Sequence, residues 1–132
     1  MKAWPRRWGP AVAIMSLIFI ASAIPGSELP KFDFWDVLIK KGGHMVGYAL
    51  LAASFLHALN NDQSIKPIRF VVAFCLTMLY AGSDEWHQGF TPGRTPSLLD
   101  VIIDAAGGLI GLLVWYIIRK VSHPSHRTSG DA

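Results

Sequence analysis

Residues 80–111 read Tyr-Ala-Gly-Ser-Asp-Glu-Trp-His-Gln-Gly-Phe-Thr-Pro-Gly-Arg-Thr-Pro-Ser-Leu-Leu-Asp-Val-Ile-Ile-Asp-Ala-Ala-Gly-Gly-Leu-Ile-Gly. Two apolar runs flank a short polar crossing that holds Asp84, Glu85, His87, Gln88 and Arg94. Asp100 and Asp104 carry charge onward into the second run. Ionisable groups at the edge of a membrane-length segment, or inside it, are costly and mark functional candidates. The crossing contains Pro92-Gly93 and Pro96, the residues of a tight, rigid turn. Ser97 is placed to cap the helix that follows.

With 132 residues there is room for one domain. Apolar types make up 52% of the chain and charged types 16%, which points to lipid as the solvent for much of its surface. The net charge of +3 comes from bases near the ends and in one loop. No dense basic patch marks a nucleic-acid partner. Cys75 is the sole cysteine, so no intrachain disulfide is possible. It lies deep in an apolar run and reads as lipid-facing or core filler, not as a catalytic thiol.

The pattern predicts an all-α membrane protein of four transmembrane helices. A basic N-terminus, residues 1–8, carries Lys2, Arg6 and Arg7 with Trp4 and Trp8. The first span, 9–24, is short but sufficient. Its basic start, apolar middle and Ala21-Ser22-Ala23 also describe a cleavable secretory signal. Residues 26–41 read as a mixed loop, with Phe32, Phe34 and Trp35 suggesting a segment at the interface. The second span covers about 42–59. Lys41, His44 and Tyr48 share one of its stripes, with Gly43 and Gly47 beside it as a small-xxx-small pair. A turn at 60–67 leads through Pro67 into the third span, 68–85. At ~1.5 Å per residue, that span brings Asp84 and Glu85 to the far side of the layer. The fourth span, 98–118, puts Asp100, Asp104, Gly107 and Gly111 on one stripe. The two glycines suit internal packing or a dimer face, and internal packing is favoured. A polar tail, 119–132, is expected to be disordered.

Four spans place both termini on one side with Lys2, Arg6, Arg7, Lys66, Arg69, Arg119, Lys120 and Arg127. The other side holds Lys31, Lys40, Lys41 and Arg94. Positive residues favour the cytoplasm, so both termini are expected there. The start of span two, the end of span three and the start of span four then meet at the extracytoplasmic boundary. Lys41, His44, Tyr48, Asp84, Glu85, His87, Arg94, Asp100 and Asp104 are expected to converge.

Three readings of that convergence follow. Ion pairs such as Asp84 with Arg94, or Asp104 with Lys41, would lock helices together. A pocket for an anion would use Lys41 and Arg94 as cations, with Arg able to bind bidentately. Glu85 and His87 would be its acid/base groups. A metal site would draw on His44, Glu85, His87, Asp100 and Asp104. With no His-Glu-x-x-His and no paired Cys/His spacing, no metal is assigned. His57 reads as a packing or interface residue. Ser83 and Ser97 have no triad spacing and read as turn or cap residues.

Lys41-Gly-Gly-His44-Met-Val-Gly-Tyr48, Ser83-Asp84-Glu85-Trp86-His87-Gln88, Phe90-Thr-Pro92-Gly93-Arg94, Ser97, Asp100 and Asp104 leading into Gly107 and Gly111 together resemble the VanZ-like family of small bacterial membrane proteins. The likeness covers about residues 24–115. It implies an integral membrane protein that retains its first hydrophobic segment. The family's namesake is associated with teicoplanin resistance. Nothing in this chain supports the phosphotransbutyrylase label that some members have carried. One departure is Asp104, where many relatives carry Asn. On this basis the expected function is to bind or act on an anionic, lipid-linked cell-envelope molecule among membrane lipids. The candidate catalytic groups are Glu85, His87, His44 and Asp84. The candidate ligand-binding groups are Lys41, Tyr48, Gln88, Arg94, Asp100 and Asp104. The cofactor is unknown, and whether a reaction is catalysed stays open. The alternative is a non-catalytic binding or partner protein whose cluster is mainly structural.

Overall fold

A computed structural model describes residues 3–28, 34–60 and 66–122. They form four α-helices: α1 Ala3–Ser22, α2 Phe34–Leu59, α3 Pro67–Gln88 and α4 Leu98–Ser122. A single 3-10 turn, Gly26–Glu28, follows α1, and no strand occurs among the described residues. Lys2, Lys31, Arg127, Phe32, the side chains of Phe34 and Trp35, the turn residues 61–65 and the tail beyond Ser122 lie outside the described residues.

Two helix starts differ from the sequence pattern. α1 reaches back to Ala3 and takes in most of the stretch read as a basic N-terminus. α2 begins at Phe34, ahead of the expected Gly42. No proline or glycine interrupts 34–41. Lys40 and Lys41 therefore belong to a helix and not to a loop. α3 starts as its sequence suggests, with Lys66 extended and Pro67 in the first turn. The segment Lys40–Leu59 and the whole of α4 are each long and apolar enough to cross a membrane.

The contacts define the arrangement. Trp8 packs on Phe55, and Gly47 lies beneath Ile18, so α1 and α2 run in opposite directions. Phe70 meets Trp115 and Tyr116 edge-on while Thr77 lies against Gly108, so α3 and α4 are also antiparallel. Lys41 meets Asp100 while Gly107 and Gly111 lie against Met45 and Ala49, so α2 and α4 run the same way. α2 occupies the middle, touching the other three helices, while α1 and α4 do not touch. Its buried face, Tyr48, Leu51, Ala52, Phe55 and Leu56, supplies half of the core cluster.

Gly107 and Gly111 bear out the internal-packing reading. A Cβ at either position would land on the carbonyl of Met45 or Ala49. Of the other pair, Gly47 faces α1, while nothing comes within 4 Å of where a Gly43 Cβ would be. Leu17, Val46, Val71, Leu79, Leu109 and Leu113 are among many large apolar side chains exposed around the outside. Water-soluble monomers seldom expose apolar surface on that scale.

Candidate functional site

Asp84, in the last turns of α3, is 3% exposed. Its Oδ2 accepts hydrogen bonds from Ser22 Oγ at 2.8 Å, Gln88 Nε2 at 3.0 Å and Tyr48 OH at 3.3 Å. The donors come from α1, α3 and α2, so one carboxylate oxygen ties three helices together. The other oxygen, Oδ1, is buried without a hydrogen-bond partner.

Gln88 links this knot to Arg94. Its Nε2 also donates to Ser22 Oγ, and its Oε1 accepts from Arg94 Nη1 at 3.2 Å. Arg94 Nε and Nη2 donate to the backbone carbonyls of Ile24 and Ala21 at 3.3 and 3.1 Å. All three acceptors are neutral, so they position the guanidinium and leave its charge uncancelled. The turn before it is equally well fixed. Gly93 adopts φ +74°, a conformation that glycine takes readily. The adjoining Pro92 carbonyl accepts from Gly26 N–H at 3.0 Å, where the two glycine backbones pass too closely for a side chain on Gly26.

On the other side of Arg94, between α2 and α4, lies a cavity of about 260 Å³. Lys40, Lys41, His44, Arg94, Asp100 and Asp104 are among its walls, with Gln88, Thr95 and Ile103. Lys41 Nζ pairs with Asp100 Oδ1 at 2.8 Å, and not with Asp104 as the sequence suggests. Asp104 instead faces His44, with Oδ1 3.7 Å from Nδ1. That gap is ion-pair distance but exceeds a hydrogen bond, and Asp104 Oδ1, in a residue only 1% exposed, is left without a hydrogen-bond partner. Buried orphan acceptors are uncommon and call for a water, ion or ligand. Among the described residues, no three His, Cys, Asp or Glu side chains form a group that could hold a metal ion.

Eight of the ten candidates thus assemble at one end of the bundle around the knot and the cavity. Tyr48, Asp84 and Gln88 form the knot, Lys41, His44, Asp100 and Asp104 the cavity, and Arg94 joins them. The remaining two face elsewhere. Glu85 Oε1 accepts the Ser97 N–H at 2.6 Å, where α4 begins, and Ser97 C=O takes the first bonds from Asp100 and Val101. His87 stacks on Phe19 of α1, ring centroids 4.5 Å apart, with Nδ1 buried and unpaired.

Sequence reasoning missed Ser22, which is fully buried on Asp84. It also missed Thr91, which donates to the Ser22 carbonyl, and Lys40 in the cavity wall. A polar residue closing an apolar run was the available signal for Ser22, but Ala-Ser-Ala resembled a processing motif. Cys75 is free and exposed, as an apolar-run cysteine facing lipid would be.

Comparison with known proteins adds one finding. No curated protein and no solved structure matches the chain significantly. The VanZ/LLP1 family model matches residues 8–119, from within α1 to the last turn of α4, and so spans the knot, the cavity and the glycine contacts. With two helices suited to crossing a membrane and a match over most of its length, the chain belongs to the VanZ/LLP1 family of membrane proteins.

Proposed function

We propose that all four helices cross the membrane with both termini cytoplasmic, and that the cavity binds an anionic group of an envelope molecule on the extracytoplasmic side. Aromatic pairs support two interfaces. Trp86 and Phe90 are exposed at the cavity end, and Trp4 stacks with Trp8 at the other. Arg119 over Trp115 and Lys120 over Tyr116 add cations at that second end. The larger share of the basic residues lies there too, as a cytoplasmic face requires.

The observation that carries the anion reading is Arg94. Its charge stands at the cavity wall, held in place by neutral acceptors only. Two of its five N–H donors remain for a ligand. Asp104 Oδ1 nearby needs a donor. The two together suit a molecule carrying both an anion and a hydroxyl or amide group, such as the phosphorylated head of an envelope lipid. Under this reading His44, in the cavity against Asp104, handles protons in preference to Glu85 and His87.

The test is thermal unfolding of detergent-solubilised protein with and without glycerol 1-phosphate. Wild type should gain stability with ligand concentration, while Arg94→Gln should fold and show no gain. If wild type shows no gain, or both respond equally, the anion reading fails. The Asp84 knot, which joins three helices, would then favour the second reading, a purely structural lock. For topology, Thr95→Cys in a Cys75→Ser background should react with an impermeant thiol reagent on intact cells. Absence of labelling there, with labelling after lysis, would reverse the orientation.

A further inference from the structure

A second cavity, about 360 Å³, lies between α1 and α2. Leu17, Ile18 and Ala21 line one side, and Gly43 and Gly47 the other. Small-xxx-small pairs usually bring helices together. Here Gly43 faces open space and Gly47 touches only the Ile18 side chain, so the glycines keep a groove open. The groove's ionisable lining is Lys40, His44 and Arg94, all at one end and all shared with the anion cavity. Among the described residues, no carboxylate lines it. From Lys40 to Gly47 the groove follows α2 for about 10 Å. Beyond His44 the walls are Gly47 on α2 and Leu17 and Ile18 on α1, and this apolar pocket opens at its other end onto nitrogen groups and a polar chamber, an arrangement that suits one particular occupant.

We propose that the groove seats the hydrocarbon chain of a single-chain lipid phosphate, with the phosphate at Arg94 and the rest of the head in the chamber. Such a molecule reaches the site sideways, between α1 and α2, without leaving the bilayer. The proposal rests on the anion reading above and adds the tail and its route.

The experiment uses the full chain in nanodiscs of zwitterionic lipid, with a hexadecyl phosphate carrying a mid-chain diazirine. Cross-linked residues are mapped by mass spectrometry. Labels should concentrate on the faces of α1 and α2 that hold Leu17, Ala21 and Gly47. Excess unlabelled hexadecyl phosphate should remove them, and the same excess of hexadecanol should not. Gly43→Leu fills the groove and should lower labelling about tenfold, a difference equivalent to one good contact. Gly42→Leu adds the same volume at another open position outside both cavities and should leave labelling unchanged. Even labelling over all lipid-facing helices, with the glycerol 1-phosphate response intact, overturns the groove and leaves the anion cavity standing. Even labelling with no such response overturns both. Displacement by hexadecanol also overturns the proposal, since the groove would then accept any chain.

Discussion

The α2–α4 contact differs between its two halves. At one end the helices meet through side chains, Lys41 with Asp100 and His44 facing Asp104, and a cavity is left between them. One and two turns further in, Gly107 and Gly111 bring backbone against backbone, with the Met45 and Ala49 carbonyls as the contact. The same pair of helices is held apart at one end and pressed together at the other. Polar contacts between membrane helices average only ~0.6 kcal/mol. Cohesion should therefore reside in the glycine half, leaving the polar half to specialise.

That contrast ranks three substitutions. The largest effect should come from Gly111→Ala, whose Cβ would strike the Ala49 backbone, an atom group that cannot rotate aside. A loss of about 3 kcal/mol is expected in detergent unfolding. An unchanged midpoint would show that the close approach is not what binds the pair. Asp84→Ala comes next. It strips the acceptor from Ser22, Tyr48 and Gln88, and should cost about 2 kcal/mol. Adding Ser22→Ala should recover part of that loss by removing one stranded donor. If instead Asp84→Ala exceeds Gly111→Ala, cohesion lies in the polar half and the comparison is reversed. Smallest is Lys41→Met. Lys41 and Asp100 are each about a third exposed, and their pair should be worth less than ~1 kcal/mol in a double-mutant cycle. The same variant should nevertheless weaken the response to glycerol 1-phosphate, separating function from stability.

Much of this was legible in the chain. Charge inside apolar runs located the site, and helical spacing put Lys41, His44 and Tyr48 on one stripe and Asp100, Asp104, Gly107 and Gly111 on another. Spacing within a helix does not set the register between helices, so Lys41 was matched to Asp104, one turn from its actual partner Asp100. Neighbouring residues on a helix point about 100° apart, so Asp84 and Glu85 could not both face the same space. Glu85 took the start of α4 instead. The part played by α1 was least visible. Its contributions are the buried Ser22 hydroxyl and the carbonyls of Ala21, Ser22 and, just beyond it, Ile24, and a carbonyl leaves no trace in residue identity.

The way α1 is fastened also fixes an order of events during synthesis. Its outer-end partners, Asp84, Thr91 and Arg94, follow it by 62 to 73 residues. At about 5–20 residues per second, α1 waits roughly 3–12 s before the first of them exists. During that interval Ser22 and the carbonyls around it lack these partners and must be satisfied by others, water among them. The first helix made therefore packs on α2 early but has its cavity end fastened only when the end of α3 and the turn after it emerge, with α4 still to follow.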